Sequence, residues 1–467
     1  MDEGLQRILV LGLGMSGMAA ARYELSRASS GEGVLVTVVD ERGESEDASL
    51  ASRARDLRDE GADVLLGVTG VPDGPWDLVV ASPGIPPHAS VMLSAKATGA
   101  SVISEVELGW LIACAPIAAV TGTNGKTTVT ALLAHLLRGG GIDARVCGNI
   151  GETSVVEAAA SAPERAVLVA EVSSFQLALT ERFRPKVAVL LNITPDHLDW
   201  HGSREAYGAD KAKVFANMGP GDTVVIDIDD PGSAAKVGAA EATGATVARV
   251  SRVALHPGGA SVVDGVLTIE RPDGPVALVA PGELRIRGDH NVSNALAAAT
   301  AALALGAGSD AVRRGLTSFE PVEHRLEPAG EVGGVRFVND SKATNPDAVL
   351  KALTAFCDEP LIVLLGGRNK HNDLGPLARA VAARAKAAVL FGECLPELHE
   401  AFSGLSVTTV EVPTMSQAVI AATRIAVPGD VVLLSPANAS FDEFRSYGHR
   451  GCEFKRMVHE MPRGSGA

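Results

Sequence analysis

The stretch from Ala118 to Val129 contains an apolar run, a glycine-rich turn and a lysine followed by two threonines. In a strand–loop–helix unit of this type, backbone N–H groups face phosphate oxygens and the lysine ammonium reaches their outer oxygens. The first threonine after the lysine can ligate a magnesium ion that bridges the same phosphates. The sequence therefore predicts an ATP or GTP site at Gly122, Thr123, Asn124, Gly125, Lys126, Thr127 and Thr128. Val120 stands where the usual motif has its first glycine, and an ordinary turn that starts a helix is the alternative.

Two further polar residues follow apolar runs that have the character of strands. Glu171 ends the run 166–171, and His197 comes shortly after the run 187–192. Ligands of open α/β sheets bind at the carboxyl ends of the strands, so we expect both side chains to lie beside the phosphate loop. A carboxylate at that edge suits magnesium, which prefers oxygen ligands. The alternatives are a surface ion pair for Glu171 and a hydrogen-bonded turn for His197.

Two pairs of basic residues have no role that spacing alone assigns. Lys211 and Lys213 lie in a predicted helix, where solvated lysines are the default, and nothing in the spacing distinguishes one from the other. His324 and Arg325 lie at a predicted domain boundary. A forked guanidinium there could contact transferring phosphoryl groups or could form a salt bridge.

The N-terminal segment has a strand-like run followed by glycines at positions 12, 14 and 17, and a second run that ends at Asp40. Such glycines permit close approach of a phosphate, and the acid can accept a hydrogen bond from a ribose hydroxyl or another ring donor. A tight turn without a ligand is one alternative. An NAD-dependent oxidoreductase is another, but it would leave the phosphate loop, Glu171 and His197 without a role.

Apolar runs alternate with helical patterns along the chain, which indicates α/β domains with parallel sheets. We expect three domains in series. A Rossmann-like domain covers residues 1–114, and a P-loop ATPase-like domain covers residues 115–321. The central sheet is mostly parallel, with a small antiparallel β excursion over residues 246–283. A C-terminal Rossmann-like domain covers residues 322–467 and ends in a helix that starts at about Phe441.

The composition restricts the class of partner. The 467 residues carry 41 basic and 56 acidic side chains, and this net charge of −15 opposes binding to nucleic acid or anionic lipid. The five cysteines show neither zinc spacing nor a disulfide framework. The N-terminus is unlike a signal peptide, and the uncharged run 291–309 is too weakly apolar to span a membrane. We therefore expect a cytoplasmic monomer with small-molecule substrates, no nucleic-acid partner and no membrane span.

Together these motifs resemble the ATP-dependent Mur ligases of peptidoglycan synthesis, whose phosphate loop has the form Thr-Gly-Thr-Asn-Gly-Lys-Thr-Thr. The resemblance covers nearly the whole chain. Segments 12–17, 171–177 and 339–344 are most similar to the branch that adds D-glutamate, and the Asn-Pro-Arg signature of the diaminopimelate-adding branch is absent from the sequence. The resemblance implies amide-bond formation between UDP-N-acetylmuramoyl-L-alanine and D-glutamate through an acyl phosphate, with release of ADP and phosphate. A sister ligase for another amino acid and a catalytically silent nucleotide-binding paralogue are the alternatives.

The resemblance also implies roles for single residues. Catalysis would depend on Lys126, Glu171, His197 and Lys211. Two Mg²⁺ ions would be held by Thr127, Glu171, His197 and Lys211, the last as a carbamylated lysine. Beyond the loop, ATP would contact Asn291, Asn294, Arg325, Asp340 and Lys342. The UDP-sugar substrate would contact Met15, Ser16, Asp40, Arg42, Asn149 and Ser173. D-Glutamate would contact Thr344, Lys370, Ser440 and Tyr447.

Overall fold

The structure is a computed structural model that describes residues 5–45, 48–150, 153–356, 359–369 and 372–461. In these residues the strands form three sheets, of five, nine and six strands. The described residues separate into two compact units. Those within 1–283 and 293–317 form the first unit, which contains the first two sheets, and those within 284–292 and 318–467 form the second unit. Within the described ranges, no helix is long and apolar enough to cross a membrane.

The first sheet is parallel throughout. Its strands and the helices that follow them are β1 (Gln6–Leu11), α1 (Met15–Ser29), β2 (Val34–Asp40), α2 (Ala48–Asp59), β3 (Asp63–Leu66), β4 (Leu78–Ala81), α3 (Ser90–Ala97), β5 (Ser101–Ser104) and α4 (Glu105–Ile112). The strand order is β3-β2-β1-β4-β5. Ile8 and Val10 pack into one hydrophobic cluster, and Leu9 and Leu11 pack into another. Successive side chains of a strand point to opposite faces, so a sheet covered on both faces needs an unbroken apolar run.

The second sheet carries the phosphate loop. Its first elements are β6 (Ile117–Thr121), α5 (Lys126–Gly139), β7 (Ala144–Gly148), α6 (Val155–Ser161), β8 (Val167–Glu171), α7 (Ser174–Ala178), β9 (Val187–Leu190), α8 (Leu198–His201) and α9 (Arg204–Ala212). The next are β10 (Thr223–Asp227), α10 (Pro231–Ala234), α11 (Val237–Ala242), β11 (Thr246–Val250), β12 (Ala260–Val263), β13 (Val266–Ile269) and β14 (Val276–Ala277). The strand order is β14-β13-β12-β11-β10-β9-β6-β8-β7. Helices α12 (Asp289–Ala304) and α13 (Ser309–Ser318) follow.

The third sheet is parallel except for its first strand. Its elements are β15 (Glu327–Val332), β16 (Val335–Asn339), α14 (Pro346–Thr354), β17 (Leu361–Gly366), α15 (Gly375–Arg384), β18 (Ala387–Phe391), α16 (Leu395–Phe402), β19 (Thr408–Glu411), α17 (Met415–Ile425), β20 (Val431–Ala437) and α18 (Tyr447–Glu460). The strand order is β15-β16-β20-β17-β18-β19. Only β15 pairs antiparallel, because the tight turn at Gly333 and Gly334 joins it directly to β16.

The prediction of three α/β domains is confirmed, and two of its details are corrected. The antiparallel excursion comprises β12 to β14, whereas β11 pairs in parallel with β10 because helix α11 supplies the crossover between them. The last helix begins at Tyr447 and not near Phe441. The Ser446 side chain accepts a hydrogen bond from the backbone N–H of His449 at 3.1 Å, which caps the helix there.

Candidate functional site

The segment between β6 and α5 forms a tight loop around the Lys126 ammonium. Lys126 Nζ donates to the carbonyl oxygens of Gly122 and Thr123, both at 2.8 Å. Gly125 has φ +88°, and a Cβ there would lie 2.6 Å from Asn294 Oδ1. Only glycine meets both conditions without strain. Thr127 and Thr128 are buried in the first turn of α5. The predicted order of strand, loop and helix is therefore confirmed.

Asn192, just after β9, holds the loop backbone from the neighbouring strand. Its Oδ1 accepts from the backbone N–H of Asn124 at 2.8 Å, and its Nδ2 donates to the Asn124 carbonyl at 3.0 Å. Thr123 Oγ1 lies 2.9 Å from the Tyr207 hydroxyl. Neither Asn192 nor Tyr207 was a predicted site residue. The signal for Asn192 was its position at a strand end, while Tyr207 offered none.

The structure places Lys211 at the phosphate loop and Lys213 elsewhere. Lys211 is 2% exposed and donates from Nζ to the Gly122 carbonyl at 2.8 Å. Burial lowers the pKa of Lys211 well below its ordinary value, and the charge of Lys126 lowers this pKa further. Lys213 instead donates to the Ala178 carbonyl at 2.6 Å. Tertiary structure thus separates two lysines that the sequence could not distinguish.

Glu171, the last residue of β8, is also buried beside this loop. It pairs in register with Val120 of β6 and is 2% exposed. Its Oε1 accepts from Asn149 Nδ2 at 3.0 Å, whereas its Oε2 is buried without a hydrogen-bond partner in the described part of the chain. An unsatisfied buried carboxylate oxygen costs about 1–3 kcal/mol or more. A cation such as Mg²⁺ would satisfy this oxygen, so the donor set fits that ion.

His197 lies after β9, which flanks β6 on the side opposite to β8. Its backbone is left-handed with φ +52°, and its side chain is 33% exposed. The imidazole Nε2 lies 3.6 Å from Asp196 Oδ2, and the ring meets Phe175 edge-on with 4.8 Å between centroids. His197 is therefore an accessible side chain at the strand-end edge that carries the phosphate loop.

A cavity of about 510 Å³ opens at the carboxyl end of β1. The predicted residues that line it are Met15, Ser16, Asp40, Arg42 and Asn149. The segment 82–86 after β4 lines it too and was not predicted. Arg42 donates to both oxygens of Asp40, at 2.9 and 2.8 Å. Although burial by itself raises the pKa of Asp40, these hydrogen bonds and those from backbone N–H groups hold it below its ordinary value.

Asn149 joins this cavity to Glu171. Besides the contact of its side chain with Glu171 Oε1, its backbone N–H donates to the Glu171 carbonyl at 2.8 Å. Gly148 has φ +89°, and a Cβ there would lie 2.4 Å from that carbonyl oxygen. Ser173 is not among the residues that line the cavity. Its hydroxyl caps α7, accepting from the Gln176 N–H at 3.3 Å and donating to Gln176 Oε1 at 2.9 Å.

The remaining residues with a predicted ATP contact fall in both units. In the first unit, Asn294 lies against Gly125. In the second unit, Asn291 Nδ2 donates to the Arg287 carbonyl at 2.7 Å. Asp340 lies just after β16 and is 1% exposed. Burial raises the pKa of Asp340 to about 6, although the charge of Arg325 opposes that shift.

The described residues with a predicted D-glutamate contact, which are Thr344, Ser440 and Tyr447, all belong to the second unit. Lys342 Nζ lies 3.3 Å from the Tyr447 hydroxyl and 5.1 Å from the centre of its ring. Thr344 is half-buried and Ser440 is buried. Lys370 lies outside the described residues. The structure thus brings one predicted ATP residue, Lys342, against one predicted D-glutamate residue.

Arg450 is a buried cation of the second unit that the sequence analysis missed. It is 0% exposed, and it donates to Ser341 Oγ at 3.0 Å and to the carbonyls of Ser341 and Asn438 at 2.9 and 3.1 Å. Burial lowers the pKa of Arg450 to about 10. No pattern pointed to it, because it lies in a charged terminal helix.

His324 is a second buried group, and its tautomer follows from its neighbour. It is 7% exposed, has φ +63°, and its Nδ1 lies 2.9 Å from Asn339 Nδ2. Asn339 Oδ1 accepts from the Ser341 N–H at 3.1 Å, which fixes the orientation of the amide. Nδ1 is therefore the acceptor and Nε2 carries the proton. Burial lowers the pKa of His324, which favours the neutral ring.

Known proteins match the chain at the level of sequence and of fold. Residues 120–302 match the family model described as Mur ligase middle domain, and residues 324–438 match that described as Mur ligase, glutamate ligase domain. The chain is 40% identical over 468 residues to UDP-N-acetylmuramoylalanine–D-glutamate ligase of Pelotomaculum thermopropionicum, with 99% of each covered. It is 39% identical over 459 residues to the enzyme of the same description from Syntrophus aciditrophicus, with 98% of each covered.

Among solved structures, MurF from Acinetobacter baumannii is similar in fold. Its TM-score is 0.62 at 18% identity, over 97% of this chain and 93% of that chain. At this identity the likeness concerns the arrangement of helices and strands.

Proposed function

This chain belongs to the Mur ligase family, and we infer from that membership how its residues divide one reaction between them. The chain is an ATP-dependent ligase that adds D-glutamate to UDP-N-acetylmuramoyl-L-alanine in peptidoglycan synthesis. One structural observation carries the assignment of roles. Glu171 and Lys211 are both buried beside the phosphate loop.

We propose that the reaction has two steps. An oxygen of the alanine carboxylate attacks the γ-phosphorus of ATP, the bond from that phosphorus to the β-phosphate oxygen breaks, and ADP leaves. The amine of D-glutamate then attacks the carbonyl carbon of the acyl phosphate. A C–N bond forms, the C–O bond to phosphate breaks, and the nitrogen loses a proton. A carboxylate is a poor electrophile, and phosphorylation provides the leaving group that amide formation needs.

The phosphate loop would bind the triphosphate of ATP. Lys126 now donates to two carbonyl oxygens of its own loop, and phosphate oxygens would replace them as acceptors. Backbone N–H groups of residues 122–128 and the N-terminus of α5 would orient the β- and γ-phosphates. These contacts concentrate positive charge where the transferring phosphoryl group carries negative charge.

Two Mg²⁺ ions would be held by Thr127, Glu171, His197 and a carbamylated Lys211. When bound, Mg²⁺ neutralises phosphate oxygens and so lets two anions approach each other. The lowered pKa of Lys211 favours the neutral amine, whose nitrogen can attack carbon dioxide. An N–C bond forms as one C=O π bond of carbon dioxide opens, the nitrogen loses a proton to solvent, and the neutral amine becomes an anion with two ligand oxygens. Glu171→Gln removes one ligand charge, so we expect the Mg²⁺ concentration for half-maximal rate to rise.

The substrates would occupy separate groups of residues. Met15, Ser16, Asp40 and Arg42 would contact the uridine diphosphate in the cavity at β1. Asn149 and Ser173 would contact the muramoyl-alanine part of the same substrate. D-Glutamate would contact Thr344, Lys370, Ser440 and Tyr447. Further ATP contacts would come from Asn291, Asn294, Arg325, Asp340 and Lys342.

We propose domain boundaries at residues 114/115 and 321/322, each of which precedes the first strand of a new sheet. We propose that the enzyme is a monomer. Because the enzyme needs ATP, we propose that it acts in the cytoplasm.

Phosphate release from ATP in the presence of UDP-N-acetylmuramoyl-L-alanine tests the assignment. Release should depend on added D-glutamate and should not respond to L-lysine or diaminopimelate. A response to either of those in place of D-glutamate would contradict the specificity. No release under any condition would identify a catalytically silent nucleotide binder.

A further inference from the structure

The side chain of His201, the last residue of α8, is buried and has a partner at each ring nitrogen. Its side chain has 0% exposure, its Nδ1 lies 2.9 Å from Asp210 Oδ2, and its Nε2 lies 3.0 Å from Ser174 Oγ. Asp210 also lies close to the Lys213 ammonium, with 3.1 Å between its Oδ1 and Lys213 Nζ. Asp210 is therefore a carboxylate that accepts from Nδ1–H. In the neutral ring, Nε2 then accepts from the Ser174 hydroxyl.

The two ends of this hydrogen-bonded chain lie next to proposed metal ligands. Ser174 begins α7, three residues after Glu171, and Asp210 immediately precedes Lys211 in α9. One imidazole thus connects the strand end that carries Glu171 with the helix that carries Lys211.

Ring contacts extend the connection to the phosphate loop. The His201 ring stacks on Phe175 with 5.4 Å between centroids and meets Tyr207 edge-on at 5.1 Å. The Tyr207 hydroxyl lies 2.9 Å from Thr123 Oγ1, and Lys211 Nζ lies 4.6 Å from the centre of the Tyr207 ring. His201 therefore contacts both Asp210, which directly precedes Lys211 in α9, and Tyr207, whose ring lies below the Lys211 ammonium.

We propose that His201 is a positioning residue for the ligase reaction, which through Ser174, Asp210 and Tyr207 sets the place of Lys211 relative to Glu171. The proposal rests on the proposed role of Lys211 as a carbamylated ligand. An imidazole with no exposed surface contacts no substrate, so it acts through its neighbours. Serine hydrolases use the same three residue types as a triad. Here the Ser174 residue is only 3% exposed, which denies its hydroxyl to a substrate and excludes that use.

His201→Phe tests the proposal, because phenylalanine keeps the ring contacts and removes both hydrogen bonds. The full chain is loaded with ¹³C-bicarbonate, and the carbamate signal is measured by NMR, with Lys211→Ala identifying it by its loss. We expect the His201→Phe signal to fall at least about twofold. A side chain misplaced by 1 Å can cost about 100-fold in rate, so we expect kcat to fall at least about 10-fold. KM for UDP-N-acetylmuramoyl-L-alanine should stay within about twofold, since its cavity lies at β1.

Asp210→Asn is the conservative control, because its amide oxygen can still accept from His201 Nδ1. We expect its carbamate signal and its kcat to lie between those of wild type and those of His201→Phe. A folded His201→Phe protein with a wild-type carbamate signal and wild-type kcat would overturn the proposal.

Two results separate failure of this proposal from failure of the proposed function. If His201→Phe does not fold, Ser174→Ala removes one hydrogen bond only, and a wild-type signal and kcat for Ser174→Ala would show that His201 has a purely structural role. If wild-type protein gives no carbamate signal, or if Lys211→Ala keeps wild-type activity, the proposed role of Lys211 is wrong and the positioning role of His201 falls with it.

Discussion

Lys126 and Lys211 donate hydrogen bonds to the same backbone oxygen, the carbonyl of Gly122, each at 2.8 Å. Two ammonium groups that share one acceptor repel each other, and the repulsion is stronger away from water. Lys211 is the buried member of the pair, and its burial and the charge of Lys126 lower its pKa. The structure therefore contains one lysine suited to bind phosphate as a cation and one suited to react as a neutral amine.

Lys211→Ala and Lys213→Ala form a matched pair that tests this difference. We expect Lys211→Ala to lower kcat at least about 100-fold, the scale of losing one electrostatic group in a buried active site. Lys213→Ala should stay within about fivefold of wild type, because its ammonium contacts the Ala178 carbonyl and Asp210 and not the loop. Steady-state phosphate release measures both. Equal losses in the two variants would contradict the assignment, and partial recovery of Lys211→Ala by added short carboxylates would support it.

Gly125→Ala should weaken nucleotide binding. The alanine would have to adopt a left-handed backbone conformation, and its Cβ would lie 2.6 Å from Asn294 Oδ1. The left-handed conformation alone costs about 1–2 kcal/mol, so we expect the Kd for ATP to rise about 10-fold or more. Gly139→Ala is the control, since a Cβ there meets nothing within 4 Å and alanine favours a helix. Calorimetric titration with ATP measures both, and an unchanged Kd in Gly125→Ala would contradict the loop geometry.

Glu105 makes stability depend on pH. It is fully buried at the start of α4, its Oε1 accepts from the Val156 N–H at 2.7 Å, and burial raises its pKa from 4.5 to about 7. At a pH between 4.5 and about 7, the Glu105 carboxyl group loses its proton in the unfolded chain and keeps it in the folded chain. The contribution of Glu105 to the free energy of unfolding is therefore complete below pH 4.5, and it is lost as the pH rises through about 7.

Glu105→Gln should abolish this contribution. Relative to wild type, its free energy of unfolding should be similar near pH 5 and higher near pH 8, by an amount on the order of 3 kcal/mol. Urea unfolding at several pH values measures the difference. Glu164→Gln, at an exposed position, is the control and should follow wild type. A constant difference between Glu105→Gln and wild type across this pH range would contradict the prediction.

Tyr447 tests the proposed D-glutamate contacts. Tyr447→Phe keeps the ring below Lys342 and loses one hydroxyl contact at 3.3 Å, so KM for D-glutamate should change less than about threefold. Tyr447→Ala also removes the ring, and we expect KM for D-glutamate to rise about 10-fold with little change in KM for UDP-N-acetylmuramoyl-L-alanine. Initial rates over a range of each substrate separate these effects. Equal rises in both KM values would indicate a general disturbance of the second unit.

The sequence by itself determined the fold class, the phosphate loop and the family, because each depends on local order. A parallel strand buried on both faces needs an apolar run, and a loop around phosphate needs glycines before a lysine at the start of a helix. Short strands such as β3 and β10 have a weak local signal, because their apolar runs are brief and bordered by charges. The start of α18 was misplaced because its cap, Ser446, follows several residues that also suit a helix.

Only the tertiary structure decided which side chains share one environment. It separated Lys211 from Lys213, two residues apart, by burying one at the loop and directing the other to Ala178. It also brought His201 to Asp210 and buried Glu105 and Arg450, none of which has a local signature. Burial and charge pairing depend on residues distant in the chain, and these set the pKa of each group. Spacing along the chain therefore identified the chemistry, and packing selected the residues in position to perform it.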